Sequence, residues 1–240
     1  MKADAVPVLA IDGPGGAGKG TVARALQQRT GWHLLDSGAI YRALALAAQR
    51  RGIVDSDQDG LCQLALELDL RFPAVAMGEE PRVLLDGSEA GDALRREETG
   101  VHASRLAAMP GVRAALLQRQ RDFRRAPGLI ADGRDMGSTV FPDACLKVFL
   151  TASAAERARR RHKQLKAKGL DVTLASLLED IRQRDARDRE RSVAPLKVSD
   201  NALVIDSTGR GIDAVVGTIE QALAKALSDP QRCGCTGGSP

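Results

Sequence analysis

The stretch that most constrains this chain is Val8-Leu9-Ala10-Ile11-Asp12-Gly13-Pro14-Gly15-Gly16-Ala17-Gly18-Lys19-Gly20-Thr21. Four consecutive apolar residues read as a buried parallel strand, the glycine-rich segment as a tight turn, and a helix opens at Lys19 or Gly20. That is the strand, loop and helix order of a phosphate-binding P-loop. Its glycines let the backbone aim several N–H groups at one phosphate, and the new helix adds the positive end of its dipole. The motif predicts that Lys19 reaches the β- and γ-phosphates of a nucleotide and that the Thr21 hydroxyl faces a Mg²⁺ ion. Gly13, Pro14, Gly15, Gly16, Ala17, Gly18, Lys19, Gly20 and Thr21 are therefore candidate triphosphate-binding residues. Gly20 departs from the common GxxxxGK[ST] form by separating Lys19 from Thr21. The plain alternative is a glycine-rich turn without a ligand, and the agreement of strand, motif and helix weighs against it.

Downstream, strand and helix alternate. Gly31 ends the first helix, residues 32–35 read as a strand, and Asp36-Ser37-Gly38 turns into a helix striped by Ile40, Ala43, Leu44 and Ala47 and closed by Gly52. Residues 55–110 have another texture: a helix at 61–68, a strand-like 70–72, and Arg82-Val83-Leu84-Leu85 running into Asp86-Gly87, a hairpin signal. From Gly111 the rhythm returns, with a helix to about 125 that turns Leu116, Leu117 and Phe123 inward. Strands follow at 129–131, 146–150 and 202–205, and helices at 154–168, 173–191 and 211–227. The expected class is α/β, a five-stranded parallel sheet flanked by helices plus a small inserted antiparallel β/α lobe. The core is expected at 1–54 and 111–229, the inserted lobe at 55–110, and a disordered tail at 230–240. Ligands of such sheets bind beyond the strand C-termini, where Gly13, Asp36, Asp132 and Thr151 should all lie.

At 240 residues with 43% hydrophobic content the chain can bury a full core, but with 2% aromatics Leu, Ala and Val must fill it. The net charge of +4 suits nucleic acid or small phosphorylated molecules alike. Clustered arginines without aromatic stacking platforms favour small phosphates, and no nucleic-acid partner is expected. No run approaches the roughly 18–20 apolar residues of a membrane span, and Met-Lys-Ala-Asp opens no signal peptide, so a cytoplasmic protein is expected. Cys62, Cys145, Cys233 and Cys235 should then be reduced thiols. Cys233-Gly-Cys235 has no His or second Cys pair nearby and reads as tail rather than half a metal site.

Several charged residues stand where chemistry would need them. Asp36 and Asp132 each end an apolar strand, as a Mg²⁺-side carboxylate would, although either could cap a turn and the sequence does not rank them. Arg42, four residues past Gly38, can be aimed back at the cleft by a helical turn. Arg184, Asp188 and Arg191 are spaced i, i+4, i+7 and share a helix face, which is also how a surface ion-pair ladder is built. The run Arg157-Ala158-Arg159-Arg160-Arg161-His162-Lys163 is densely basic. Bringing two phosphates together needs fixed cations, and Arg suits this because it forks onto two oxygens at once.

Asp12–Thr21, Leu34-Leu35-Asp36-Ser37-Gly38-Ala39-Ile40-Tyr41-Arg42 and Ile130-Ala131-Asp132-Gly133-Arg134-Asp135-Met136-Gly137 resemble the bacterial cytidylate kinases. So does Arg184-Asp185-Ala186-Arg187-Asp188-Arg189 followed by Ala194-Pro195-Leu196. The blocks run in family order from about residue 6 to 210; Gly15, where Ser or Ala is commoner, is a minor departure. The resemblance implies a monomeric P-loop kinase that moves the γ-phosphate of ATP to CMP or dCMP with Mg²⁺. It implies that Arg42 and Arg134 hold the acceptor phosphate with Ser37 also in the CMP site, that Arg184 and Asp188 bind the acceptor ribose, and that Arg191 binds the transferring phosphoryl group. It assigns the base to Asp135 and Arg113 with Ser104. This agrees with cytosine, whose N4 amine donates and whose N3 and O2 accept, whereas uracil would set an O4 acceptor against a carboxylate. It makes the basic segment at 154–171 a lid whose Arg157 or Arg161 reaches over the transferred group. Lys19, Arg134, Arg161 and Arg191 are thus the expected catalytic cations.

Overall fold

A computed structural model describes residues 6–73, 82–167, 169, 171–191 and 193–229. In chain order its elements are β1 (Val8–Asp12), α1 (Lys19–Thr30), β2 (His33–Asp36), α2 (Ser37–Arg51), α3 (Gln58–Glu67), β3 (Leu70–Arg71), β4 (Leu84–Leu85), β5 (Ser88–Glu89), α4 (Gly91–Arg95), α5 (Glu97–Leu106), α6 (Pro110–Arg121), β6 (Leu129–Gly133), β7 (Leu146–Thr151), α7 (Ala154–Ala167), α8 (Leu174–Glu190), β8 (Leu203–Asp206) and α9 (Ile212–Leu227). A π-helical turn, Met136–Val140, follows β6. The chain forms two compact units, Met1–Asp36 with Arg121–Pro240, and Ser37–Gln120.

In the first unit the five strands run parallel in the order β2-β6-β1-β7-β8. The apolar run of β1 takes the central position and is buried throughout, as a strand covered on both faces must be. Parallel register places Leu9 beside Ile130 and Leu146, and Ile11 beside Val148. These residues join Val22, Ala23 and Leu26 of α1 and Val215, Val216, Ile219 and Leu223 of α9 in one core on that face. Truncating a fully buried leucine such as Leu26 to alanine would cost about 2–5 kcal/mol. The register also aligns Asp12 with Gly133, Asp36 with Asp132, and Thr151 with Asp206, so the strand ends named from sequence share one edge. Gly31 takes φ 71°, the left-handed value that ends α1.

The second unit is built on α2, where Ile40, Ala43, Leu44, Ala47 and Ala48 are fully buried and Ala45 and Leu46 nearly so. The hairpin expected at Asp86-Gly87 is present: β3, β4 and β5 form an antiparallel sheet, and Asp86 (φ 50°) and Gly87 (φ 75°) both take the positive φ of a type I′ turn. The expected inserted segment, 55–110, lies wholly within this unit. Helices α4 and α5 have no counterpart in the sequence expectation. Helix α4 is five residues long and buries only Leu94, and the buried face of α5 is mostly Thr99, Gly100, Ala103 and Ser104 beside Leu106, which leaves little hydrophobic periodicity to detect. Helix α6 stops at Arg121, four residues short of expectation, and Leu117 and Phe123 are half-buried while Leu116 is fully buried. Cys233, Cys235 and the tail expected at 230–240 lie outside the described residues.

Candidate active site

The chain leaves the centre of the sheet through Gly13, whose φ is 147° and where a Cβ would stand 1.9 Å from the Leu150 carbonyl oxygen. Only glycine fits between β1 and β7 at that point. Gly16 (φ 79°) and Gly18 (φ 97°) turn the loop, and the Gly18 carbonyl accepts the N–H groups of Thr21 (3.1 Å) and Val22 (3.0 Å) as α1 begins. No side chain caps α1 and no acid of its own occupies its first turn, so its N-terminal N–H groups and positive dipole end face the loop. Lys19 folds back and donates from Nζ to the Pro14 carbonyl at 3.1 Å. Its Nζ also stands 3.8 Å from Asp132 Oδ1. At that separation the attraction does not offset burial. Desolvation, with Arg134 next in weight, drives the Lys19 ammonium down to about 8. Desolvation likewise drives the Asp132 carboxyl up to about 6. Asp132 Oδ2 lies over the first turn of α1, 3.5 Å from where a Cβ on Gly20 would be. Asp36, its neighbour in register, is exposed, as is Thr21.

Arginines border this loop beside Lys19. Arg134, just beyond β6, donates from Nε to Asp188 Oδ2 at 2.9 Å and from Nη1 to the Gly133 carbonyl at 3.1 Å. Asp188, with a side chain only 1% exposed, also accepts from Arg191 Nη2. Burial pushes the Asp188 carboxyl up, but Arg134 and Arg191 together outweigh it and hold the carboxyl below its ordinary range. A Cβ on Gly15 would meet Arg134 Nη2 at 3.5 Å and Arg184 Nε at 3.6 Å, so both guanidiniums border the loop. These are ordinary contact distances, which makes the Gly15 departure sterically neutral. The face carrying Arg184, Asp188 and Arg191 is thus turned towards the P-loop and is no surface ladder.

The basic run of α7 divides by role. Arg157 is 3% exposed and held entirely by protein: Nη1 donates to the Gly15 carbonyl (3.0 Å) and to Asp185 Oδ1 (2.9 Å), and Nε to the Ala152 carbonyl (3.0 Å). Arg160 donates to the Ala17 carbonyl at 3.3 Å and to the Ser207 carbonyl at 2.7 Å, while Ser207 Oγ donates to Ala17 at 3.0 Å. Arg161 is half-buried. Sequence reasoning singled out neither Arg160 nor Asp185. Their only signal was position, one helical turn from Arg157 and from Asp188.

Asp12 is the other residue that went unread. It is 3% exposed, and its Oδ1 and Oδ2 accept the backbone N–H groups of Met136 and Gly137, each at 2.8 Å. Burial raises its carboxyl to about 6 in spite of those bonds. Asp135, expected to read the base, is 4% exposed and precedes the π-helical turn, its carbonyl accepting from Thr139 (2.9 Å) and Val140 (3.2 Å).

The remaining candidates belong to the second unit. Ser37 opens α2 and is buried. Arg42 donates from Nη1 to the Leu94 carbonyl at 2.8 Å, and Gly100 makes room for its guanidinium, which a Cβ would meet at 2.8 Å. Arg113 is 8% exposed and donates to the Ala107 carbonyl at 3.2 Å. The Ser104 hydroxyl is buried with no hydrogen-bond partner among the described residues.

The family described as cytidylate kinase matches residues 9–225. A cytidylate kinase of Pseudomonas paraeruginosa is 60% identical over 215 residues, covering 90% of this chain and 94% of the relative. That of Stutzerimonas stutzeri is 55% identical over 219 residues, covering 91% and 96%. Among solved structures, a gluconokinase from Sinorhizobium meliloti aligns over 93% of this chain and 94% of its own at 15% identity, with a TM-score of 0.45.

Proposed function

This chain belongs to the cytidylate kinase family and transfers the γ-phosphate of ATP to CMP or dCMP, and we propose that the residues above carry that reaction as follows. Gly13–Thr21 cradle the ATP phosphates, with Lys19 on the β- and γ-oxygens. Arg42 and Arg134 hold the acceptor phosphate, with Ser37 also in the CMP site. Arg184 and Asp188 take the ribose, and Asp135, Arg113 and Ser104 the cytosine. An acceptor phosphate oxygen attacks the γ-phosphorus as its bond to the β–γ bridging oxygen breaks, so CDP forms and ADP leaves. Little covalent chemistry is asked of the protein, and fixed charge and alignment supply the rate. Arg191 and Arg161 are assigned to the transferring group. Arg157 acts on ATP through the Gly15 carbonyl that it braces.

The observation that carries this reading is the convergence of Lys19, Arg134 and Arg184 on one glycine loop, with Asp188 and Arg191 fixing their arrangement. A P-loop alone answers the phosphate chain of one nucleotide. Extra guanidiniums at its lip answer a second. The buried Ser104 hydroxyl fits the same reading, because an unsatisfied buried group costs about 1–3 kcal/mol unless a ligand bonds to it.

The residues present also fit Mg²⁺. Among the described residues no three His, Cys, Asp or Glu side chains converge as a metal cage, and Mg²⁺ in kinases is held mostly by phosphates and water with one or two carboxylates. Thr21 and Asp132 would hold it, with Asp36 further out. When bound it would supply neutralisation of the phosphate charge. No helix among the described residues is long and apolar enough to cross a membrane, and we read the protein as a cytoplasmic monomer.

The test is ADP release from Mg²⁺-ATP against CMP, dCMP, UMP, AMP, GMP, shikimate and no acceptor. Strong turnover with CMP and dCMP, weak with UMP and absent otherwise, is expected. ADP release independent of acceptor would overturn the assignment of acceptor residues.

A further inference from the structure

We infer that Asp12 is a positioning residue for acceptor recognition: its carboxylate locks the Arg134-Asp135 segment in place from the foot of the P-loop. The inference rests on the reading that Asp135 recognises the base and Arg134 the acceptor phosphate.

The geometry is a clamp with two jaws. On one side, Asp12 ends β1 in parallel register with Gly133, the last residue of β6 before Arg134. On the other, both carboxylate oxygens of Asp12 accept at 2.8 Å from Met136 and Gly137, the two residues directly after Asp135. Arg134 and Asp135 are the only residues between the jaws. Asp135, at φ −143° and ψ 26°, is the residue from which the chain enters the π-helical turn. Its own carbonyl is engaged by Thr139 and Val140.

The acidic side chain is specifically suited to this place. Two convergent N–H donors need two acceptors, which a carboxylate offers and an amide does not. Charge-assisted bonds of this kind are about twice as strong as neutral ones. The next residue in the chain is Gly13, so one side chain ties the donor-phosphate loop to the acceptor-reading turn within one compact unit. A group kept buried at 3% exposure against its desolvation has a use other than solubility.

The discriminating measurement is the ratio of kcat/KM for CMP over UMP in the full chain, with KM for ATP measured alongside. Asp12→Asn turns one N–H acceptor into an opposing donor. It should raise KM for CMP about tenfold, the equivalent of about 1.4 kcal/mol, and lower the CMP:UMP ratio at least about fivefold. A merely structural loss would reduce the active fraction, depressing kcat for both substrates equally and leaving the ratio and KM for CMP unchanged; that result overturns the inference. Should Asp12→Asn fail to fold, replacing the Gly137 peptide N–H by an ester oxygen removes one bond without touching any side chain. It should narrow the same ratio, and an unchanged ratio again overturns the inference. Asp135→Asn serves as the reference. If it narrows the ratio and Asp12→Asn does not, the clamp is wrong and the base reading stands. If Asp135→Asn leaves the ratio unchanged, base reading lies elsewhere and the inference falls with it.

Discussion

Lys19 gives a quantitative handle on the phosphate cradle. In the unliganded protein its ammonium titrates at about 8, from an ordinary 10.5, because it is buried and faces Arg134. A bound phosphate adds anionic oxygens to the distant pull of Asp132 and should return Lys19 to its ordinary range or above. That is a recovery of at least about 2.5 pK units, or about 3 kcal/mol of coupling between protonation and nucleotide binding. Binding must then take up protons: about a tenth of a proton at pH 7, about half at pH 8 and about nine-tenths at pH 9. Calorimetric titration with Mg²⁺ and a non-hydrolysable ATP analogue, repeated in buffers of different ionisation enthalpy, reads this number directly. The trend identifies the group, since Asp12 and Asp132, at about 6, would give an uptake that falls over the same range. Lys19→Arg keeps its charge at every pH used and should abolish the rise. No uptake at pH 8, or a rise that persists in Lys19→Arg, would refute the argument.

The other expectations are simpler. Lys19→Ala should cut kcat with CMP by at least about a thousandfold, since it removes a preorganised charge from the transferring group; retained turnover would move the phosphate cradle elsewhere. Gly13→Ala should destabilise the protein by roughly 3 kcal/mol or more, read as a lowered Tm, because its Cβ meets a backbone oxygen at 1.9 Å and its φ is 147°. Asp132 titrates in the fold at about 6, above its unfolded 3.8, so the folded chain holds a proton that the unfolded chain has lost, and stability falls as pH rises from about 4 through about 6. Asp132→Asn escapes that loss. Its Tm relative to the unsubstituted protein should therefore rise between pH 5 and pH 7.5 while its turnover drops, and an equal offset at both pH values would show that Asp132 carries no such strain.

Local chemistry made much of this protein legible in its sequence. The glycines of 13–18, the apolar runs of β1, β6 and β7, the Asp86-Gly87 turn and the Gly31 helix end each encode their conformation within a few residues, through φ, backbone donors and side-chain alternation. The P-loop and the cationic requirement of the site follow from that level, because phosphate demands N–H groups and guanidiniums wherever they come from. Helix α4 was illegible because it is five residues long with one buried residue, Leu94, and α5 because small side chains (Thr99, Gly100, Ala103, Ser104) make up most of its buried face beside Leu106. The roles of Asp12, Arg160 and Asp185 were illegible for another reason. Arg160 and Asp185 have local partners in Glu156 and Arg189, but the contacts that define these roles, Asp12 to Met136, Arg157 to Asp185 and Arg160 to Ala17, span at least 28 positions and form only when parallel strands and packed helices set the register. The same packing decided which way the Arg184-Asp188-Arg191 face turns, and it alone moved Lys19 to about 8 and Asp132 to about 6. Sequence names a charge and its neighbours along the chain, but desolvation depends on what the fold places around it. The sequence by itself therefore determined which phosphate chemistry this chain can do, and tertiary structure determined which charges are strained, braced or paired to do it.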